Sequence, residues 1–306
     1  MPHPRKPYAK PAKNVPALLR HLRSKGLSTR GQLATATQAL NFVGYHRLLM
    51  YMRPLQDANK QFYPGVCFTD VLALYEFDRK LRLVCMDAIE RIEVAFRAAI
   101  SNTLANDKAC GSHFYLDAVH FHSMTGHREF LRNVLGMRDK VLSVDHYYTN
   151  YNSPALPPVW IVLEQLSIGQ LSKLLSSLHL DHRKAIASCF GYNEEILQSW
   201  LKSTTLLRNL CAHHSRVWNN NVGADSPRHA KSIVSEFNQQ QRDQGRVFNR
   251  LVAIQALMNV IDPTSDWKQK LKVVISSLPL GSMNKAGITP AVLGLVIGWE
   301  QRPFWQ

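Results

Sequence analysis

The sequence predicts an all-α protein on the basis of three observations. Apolar residues recur at steps of three, four and seven along most of the chain, the period of an amphipathic helix. No segment shows the convincing alternation of apolar and polar residues that a half-buried strand requires. The segments between the helical stretches are polar and rich in turn formers. With 306 residues, 45% of them hydrophobic, the chain is long enough to bury a sizeable core.

The strongest helical pattern runs from about Asp70 to Leu104, with Thr69 in the position of the cap. One apolar stripe follows the whole segment, and a stripe of this length predicts a helix that spans a bundle. Its members are Val71, Leu74, Leu81, Cys85, Ala88, Ile92, Phe96 and Ala99.

Shorter helical segments lie on both sides of this long helix. Ahead of it, Pro16 suits a first helical turn and opens a segment that ends at Gly26. The next candidates are "TRGQLATATQALNFVG" and "YHRLLMYMR". Behind the long helix, the candidates are "HREFLRNVLGMRDKVL", "PVWIVLEQLS", "GQLSKLLSSL", "DHRKAIASCFG", "NEEILQSWLKSTTLLRNLCAHHSRVW", "RVFNRLVAIQALMNVI" and "DWKQKLKVVISSL". The stretches "DHYYTNYNSPALPP" and "NNNVGADSPRHAKS" are predicted loops.

These segments suggest three parts. Residues 1–13 form a flexible basic arm, residues 14–62 a basic N-terminal helical segment, and residues 63–306 a helical bundle that ends in a C-terminal helical cover.

Positive charge is concentrated near the N-terminus. The chain has 37 Lys and Arg against 22 Asp and Glu, a formal net charge of +15, and no acidic residue precedes Asp57. Such an excess favours a polyanionic partner, nucleic acid before an anionic membrane surface. Tyr45 and Arg47 are of the types that stack on bases and contact phosphates, although Tyr45 and Tyr51 suit a core equally well. The candidate RNA-binding residues are Arg5, Lys6, Lys10, Lys13, Arg20, Arg23, Lys25, Arg30, Tyr45 and Arg47.

The cysteines and the apolar segments bear on the compartment. The five cysteines are odd in number and form no CxxC pair, which argues against a disulfide framework and favours a reducing cytoplasm. The N-terminal stretch has no apolar core of a secretory signal. The longest apolar candidate, "AVLGLVIGW", is far shorter than the roughly twenty residues of a membrane span, so we expect no membrane association.

The stretch "LLRNLCAHHSRVWN", from Leu206 to Asn219, places unusual side chains on a helix that otherwise only has to pack. Asn209 and His213 are four residues apart and share a face, whereas Arg208 and His213 are five apart and diverge by about 140° on a regular helix. Both can reach one phosphate if the helix loosens near "CAHH", if the arginine wraps around it, or if a second copy of the chain completes the group.

These side-chain types suffice for RNA cleavage without a metal, because RNA carries its own nucleophile, the 2′-hydroxyl. A positioned histidine can take or return a proton, and a guanidinium matches the anionic oxygens of a phosphorane. Asn209 could orient the imidazole or the phosphate. Three other interpretations stay open: a solvated face in which Arg208 caps carbonyls or pairs with an acid, a zinc site at Cys211 and His214, and Cys211 as a nucleophile.

The stretch "RNLCAHH" resembles the R-N-x-x-x-H motif of the HEPN superfamily of helical ribonucleases, and "RNLCAHHSRVWN" resembles its form in the Abi-like (abortive infection) family of bacteriophage defence. Four segments are similar to that family in the same order, and "WEQRPFW" resembles its closing aromatic segment. They are "FVGYHRLLMY", "LYEFDRKLRLVCMDAIERIEVAFRAAI", "LPPVWIVLEQLSIGQLSKLL" and "SWLKSTTLLRNLCAHHSRVWN". The resemblance implies a HEPN-like bundle over 63–306, Arg208 and His213 as catalytic residues with Asn209 in support, and a homodimer.

Polar residues on the long helix have two interpretations. Asp87 and Glu90 face together, and Glu93 and Arg97, four residues apart, flank the apolar stripe. The favoured interpretation is an ion pair that holds the bundle together. The alternative places Glu93 or Arg97, together with His214, in a layer that supports the active site.

A histidine-rich stretch, "HFHSMTGH", contains His120, His122 and His127. We predict a loop there, and metal binding is the less favoured interpretation. The sequence therefore predicts neither a metal site nor a cofactor.

Two functional hypotheses follow. The first is a metal-independent endoribonuclease that acts in phage defence or as a toxin, with His213 as the acid and base and Arg208 stabilising the phosphorane. The second is an RNA-binding module without catalysis, in which the basic bundle holds a cognate RNA, such as its own inhibitor. RNA is the expected partner in both.

Overall fold

The computed structural model describes residues 11–306, and these residues are mostly helical. Within them there is no β-strand, and the β-pairing consists of isolated bridges. The all-α prediction is therefore confirmed. The α-helices are α1 (Val15–Ser24), α2 (Leu33–Phe42), α3 (Tyr45–Met52), α4 (Phe68–Ile100), α5 (Met124–Leu135), α6 (Leu142–Asn150), α7 (Val159–Leu163), α8 (Ile168–Ser177), α9 (Leu180–Ser188), α10 (Glu194–Ala212), α11 (Val247–Ile261), α12 (Trp267–Ser276) and α13 (Leu280–Asn284).

The described chain divides into two compact units. The first contains the residues up to Arg79 together with Ser277–Pro290, and the second contains Lys80–Ser276 together with Ala291–Gln306. The boundaries expected from the sequence, after residues 13 and 62, stay predictions.

The first unit contains α1, α2, α3, the start of α4 and α13. The side chain of Asn14 caps α1 by accepting a hydrogen bond of 3.0 Å from the Ala17 amide. Asp70, in the first turn of α4, is buried and accepts hydrogen bonds from Ser282 Oγ at 2.8 Å and from Lys285 Nζ at 2.8 and 3.0 Å. These bonds fasten Ser277–Pro290 to the beginning of α4.

Helix α4 confirms the strongest sequence prediction. Each stripe residue is buried except Ala99, which is half-buried. The helix begins at Phe68, so Thr69 lies inside the first turn and is not the cap. Instead, the Asp70 carboxylate reaches back and accepts a hydrogen bond of 2.7 Å from the Cys67 amide. A π-helical turn, Ser101–Ala105, ends the segment.

Helix α11 lies in the core of the second unit. Every residue from Val247 to Met258 is buried, and a helix that is buried on all sides belongs in a core. The aromatic C-terminus packs on it: the Phe248 ring centroid lies 5.6 Å from that of Trp299 and 5.9 Å from that of Trp305. This segment covers the core where the sequence predicts a C-terminal cover.

Several secondary-structure predictions are wrong in part. The predicted loop "HFHSMTGH" becomes helical at Met124, where α5 begins, and the predicted helix "HREFLRNVLGMRDKVL" stops at Leu135, where α5 ends. The segment that contains "DHYYTN" was predicted to be a loop, but it forms α6. The predicted helix that ends at Trp218 stops six residues earlier, at Ala212. Val217 and Trp218 are buried, so they continue the apolar pattern of the sequence after the helix itself has ended.

Candidate active site

Helix α10 separates a buried face from an exposed one. The helix packs against α8, α9 and α11. Its buried side chains are Leu197, Trp200, Leu201, Ser203, Thr204, Leu207 and Cys211. On the other side, Lys202, Asn209 and His213 are exposed and follow one another at steps of seven and four residues. The second half of α10 therefore presents a polar line to solvent.

Arg208 lies at the edge between these two faces. Its side chain is half-buried, and its Nη1 donates a hydrogen bond of 3.4 Å to Oδ1 of Asn209. Residues 208 and 213 differ by about 140° around the helix, whereas residues 209 and 213 lie close to the same line. Asn209 thus contacts the arginine and also shares the exposed face of the histidine.

His213 is the C-cap of α10 and directly follows its last residue, Ala212. Its amide still donates to the Asn209 carbonyl at 3.0 Å, so it keeps its place on the helical spiral as the C-cap, with φ −86° and ψ 9°. The next residue, His214, has φ +55°, in the left-handed region. The His214 amide donates to Cys211 O at 3.0 Å and the Ser215 amide to Leu210 O at 2.8 Å. This is a Schellman motif with histidine where glycine is usual.

The left-handed position costs an L-residue roughly 1–2 kcal/mol, so the surrounding structure must impose it. Strain of this kind clusters at functional sites. The helix thus ends within "CAHH", but His213 keeps its place on the helical spiral, so its offset from Arg208 remains.

Arginine side chains near the start of α11 hold the chain that follows the Schellman motif in place. Arg250 is 3% exposed, and its guanidinium donates to the carbonyls of Val222 at 2.7 Å, Ala224 at 3.1 Å and Gly245 at 3.0 Å. Burial lowers the pKa of Arg250 to about 10, with the charge of Asp225 opposing that shift. The guanidinium stays charged at neutral pH.

Two neighbouring residues complete this support. Arg246 Nη1 donates to Asn219 Oδ1 at 3.2 Å. Gly245 lies so close to Asn221 and Gly223 that a Cβ would collide with them. The sequence reasoning missed Arg246 and Arg250, because Arg250 donates to backbone carbonyls and Arg246 to an asparagine in a loop, and no motif encodes either kind of partner.

Glu93 and Arg97 contact each other on α4, and Arg97 also contacts a neighbouring segment of the bundle. They form a short ion pair one turn apart on α4, and Arg97 Nη2 also donates to the Leu166 carbonyl at 2.9 Å. Asp87 accepts from Arg91 at 2.9 Å, and Arg91 reaches Asp262 at 3.1 Å. A role for Glu93, Arg97 or His214 beneath the active site stays a prediction.

The candidate RNA-binding residues within the described range belong to the first unit. Lys13, Arg20, Arg23 and Arg30 are exposed, whereas Lys25 is half-buried. Arg5, Lys6 and Lys10 lie outside the described residues.

The aromatic and basic run in α3 divides into core and surface. Tyr51 is fully buried, and its hydroxyl donates to Asp78 at 2.6 Å, so it belongs to the core. Tyr45 and Arg47 are half-buried. RNA binding by these two residues stays a prediction.

A cluster of metal-ligating side chains lies in the second unit. The ligand atoms of Cys110, His120 and His182 are all within 4.8 Å of one another. His120 Nδ1 is 3.1 Å from His182 Nε2 and 3.8 Å from Cys110 Sγ. Burial, and then the charge of His120, lowers the pKa of His182, whereas burial raises that of the Cys110 thiol.

Sequence reasoning singled out only one member of this cluster. His120 is ten residues from Cys110 and sixty-two from His182, spacings that match no metal motif. The other histidines of "HFHSMTGH" point elsewhere. His122 Nδ1 is 3.0 Å from the carbonyls of Ser177 and Leu178, and His127 is buried with Nε2 2.8 Å from the Tyr115 carbonyl.

The other metal and thiol candidate, Cys211, lies on the buried face of α10. His214 follows it after the helix end, in the left-handed turn.

The five cysteines are free of disulfides. None of the helices in the described part of the chain combines the length and the apolar character that crossing a bilayer demands.

Comparison with known proteins assigns the family. A family model described as Abi-like protein matches residues 38–219, a span that includes α4 and the whole of α10 with Arg208, Asn209 and His213. No curated protein and no solved structure matches the chain. Because the family model covers more than half of the 306 residues, the chain belongs to the Abi-like protein family.

Proposed function

We propose that this protein is a metal-independent endoribonuclease of the HEPN type that acts in phage defence by abortive infection or as a toxin. The observation that carries the proposal is the placement of Arg208, Asn209 and His213 at the end of α10, where Asn209 contacts the arginine and shares an exposed face with the histidine. Membership of the Abi-like family supports the defence role.

The proposed chemistry needs only these side chains and the RNA. His213 takes the proton of the 2′-hydroxyl, whose oxygen then attacks the adjacent phosphorus, and an imidazole can later return a proton to the leaving 5′-oxygen. Arg208 stabilises the extra negative charge on the phosphorane. Asn209, which accepts a hydrogen bond from Arg208, holds the guanidinium in position.

A groove beside α10 offers a path for the RNA backbone. It lies between α8 and α10, and its lining includes Gln170, Lys173, Lys202 and Thr205, together with one carboxylate, that of Asp225. Thr205 precedes Asn209 by about one turn on α10. Ammonium, hydroxyl and amide groups are the usual contacts of phosphates and sugars, so a strand in this groove would lead towards the catalytic group.

The offset of Arg208 from His213 favours a site shared by two chains. The two residues direct their side chains to different sides of one helix. A two-fold dimer that pairs two copies of α10 would place the arginine of one chain beside the histidine of the other. RNA is the proposed substrate, and a second copy of the chain is the proposed partner.

The test compares wild-type protein with Arg208→Ala and His213→Ala on RNA. We expect wild type to leave a 2′,3′-cyclic phosphate and a 5′-hydroxyl. Each variant should lose about 100-fold or more in rate. Thermal unfolding should change little, because neither residue is on the buried face of α10 and substitutions away from the core usually change stability by less than about 0.5 kcal/mol.

Matched controls are Arg128→Ala and His146→Ala, which remove an exposed arginine from α5 and an exposed histidine from α6. Both should cleave like wild type. RNA binding without cleavage by the wild type would instead support the non-catalytic binding module. Full activity of His213→Ala would refute the assigned mechanism.

A further inference from the structure

We propose that Cys110, His120 and His182 bind a zinc ion, a site that is separate from the residues proposed for RNA cleavage. The ligand atoms are Cys110 Sγ, His120 Nδ1 and His182 Nε2, which converge within 4.8 Å of one another. Three protein ligands leave one coordination position for water.

The distances fit a tetrahedral ion. With Zn–S of about 2.3 Å and Zn–N of about 2.0–2.1 Å, two nitrogens lie about 3.4 Å apart and a sulfur lies about 3.6 Å from a nitrogen. The observed separations are 3.1 Å between the two nitrogens and 3.8 Å between Cys110 Sγ and His120 Nδ1. These two separations need shifts of 0.2–0.3 Å, and Cys110 Sγ, which lies within 4.8 Å of the ligand nitrogen of His182, must approach it by up to about 1.2 Å, a movement that rotation of the Cys110 side chain can supply.

The backbone holds the three ligands together independently of any ion. His120 ends a short 3-10 turn, Ala118–His120, and its carbonyl accepts a hydrogen bond of 3.0 Å from the His179 amide at the start of α9. The next residue, Phe121, forms a β-bridge with Leu178. These pairings place His120 beside the first turn of α9, which carries His182.

Cys110 comes from a third segment. It lies in the turn after α4, where its amide donates to the Asp107 carbonyl at 3.1 Å. The cluster therefore joins the turn after α4, the turn before α5 and the helix α9. An ion bound there would cross-link the neighbouring turns at Cys110 and His120 to α9, which is distant in sequence, and would stabilise the fold.

The donor set selects the class of metal. One thiolate and two imidazoles suit zinc and other borderline or soft cations, whereas Mg²⁺ and Ca²⁺ prefer oxygen ligands. On binding, Cys110 releases its thiol proton and the imidazoles bind in their neutral forms. Asp107, whose carboxylate hydrogen-bonds the Cys110 thiol, places a further negative charge beside the cation.

A purely hydrogen-bonded cluster is the competing explanation, and cobalt distinguishes the two. Untagged full-length protein is stripped of metal and titrated with Zn²⁺ and, separately, with Co²⁺. We expect one equivalent of zinc to bind and the melting temperature to rise. We also expect the visible bands of four-coordinate cobalt together with a thiolate-to-cobalt charge-transfer band. Wild-type protein that binds no equivalent of either ion would overturn the proposal, whatever the variants do.

Variants assign the ligands. Cys110→Ser should abolish the charge-transfer band, whereas Cys189→Ser, which alters an exposed cysteine at the end of α9, should retain it. His120→Ala and His182→Ala should weaken zinc binding by at least about 100-fold, the upper range for the loss of an outer-shell partner. His146→Ala serves as the matched control. Equal affinity of His182→Ala and His146→Ala for zinc would refute the assignment.

Discussion

A shared active site should allow two inactive proteins to rescue each other. The perturbation is a mixture of Arg208→Ala and His213→Ala chains that are allowed to exchange subunits. In a heterodimer with composite sites, one site loses both groups, while the other keeps an intact arginine from one chain and an intact histidine from the other. The reason is the five-residue offset, which turns the two side chains about 140° apart on α10.

The size of the rescue follows from the symmetry of a two-fold dimer. Random exchange of equal amounts makes about half of the dimers mixed, and each mixed dimer carries one intact site of two, so about one quarter of wild-type activity should return. Each variant alone should retain about one hundredth or less. The expected recovery is therefore roughly 25-fold above either variant, well outside the error of an initial-rate assay.

Initial rates of RNA cleavage are measured before and after subunit exchange. Mass spectrometry confirms the exchange, because the two chains differ in mass and a mixed dimer has an intermediate mass. The matched control mixes Arg208→Ala with the double variant, in which no pairing restores both groups. If the catalytic pair lies within one chain, every site in the mixed dimer lacks one group. A mixture that stays inactive after confirmed exchange, or a wild-type protein that is active as a monomer, would refute the shared site.

Three further predictions concern charge, backbone and pH. Replacing the exposed Lys13, Arg20 and Arg30 by Gln should flatten the slope of log affinity for single-stranded RNA against log salt by about 0.7 per lost phosphate contact, measured by fluorescence anisotropy; an unchanged slope would show that they do not touch RNA. His214 has φ +55°, so His214→Gly should raise the unfolding midpoint and His214→Val should lower it. The unfolding free energies of the two variants should differ by roughly 2 kcal/mol, and midpoint shifts of the same sign would show that the backbone at His214 is not strained. At Asp70, burial alone would raise the pKa, but hydrogen bonds from Lys285, Cys67 and Ser282 bring it below its usual value, so this carboxylate stabilises the fold above its unfolded pKa of about 3.9 and the contribution is lost as pH falls below that value. Asp70→Asn should therefore cost about 1–3 kcal/mol at pH 7 and less at pH 3 in urea titrations, and an equal cost at both pH values would refute this role.

Deletion of the basic N-terminal region would not be a clean test of its role in RNA binding, because part of this region is folded. Leu19, Leu22 and Leu27 are buried, so the residues around them form part of the folded first unit. Deleting residues 1–30 would remove this apolar surface as well as eight basic side chains. Single-residue substitutions at exposed positions separate the charge from the fold.

The spacing of apolar residues predicted those helices that bury one continuous face in the core. The stripe of α4 repeats over the whole helix, and all of its members except the half-buried Ala99 are buried. The end of α10 could not be found in this way, since Val217 and Trp218 prolong the apolar pattern although the chain has turned at His214. Helix α6 was missed because aromatic, Thr and Asn side chains are weak helix formers, and its tertiary packing buries Val144 and Tyr147.

The two sites differ in what the sequence encodes. Arg208, Asn209 and His213 lie within six residues on one helix, so their spacing can be read directly from the chain. Cys110, His120 and His182 meet only because Phe121 pairs with Leu178 and the turn after α4 folds towards them. Such tertiary pairing leaves no signal in the spacing of the ligands.

A chelator should act differently on the two proposed sites. The cleavage proposed for Arg208 and His213 uses the 2′-hydroxyl of the RNA itself, so in that mechanism removing a metal takes nothing from the chemistry. Removing zinc from Cys110, His120 and His182 would instead withdraw a stabilisation of about 2.7 kcal/mol at a free ion concentration of one hundred times the dissociation constant. With EDTA, the melting temperature should therefore fall, while the cleavage rate well below that temperature stays constant. A rate that falls at that temperature and returns only with Mg²⁺ or Mn²⁺ would refute the metal-independent mechanism and leave the zinc site standing. Failure of cobalt to bind would do the reverse, because the cluster and the end of α10 share no residue.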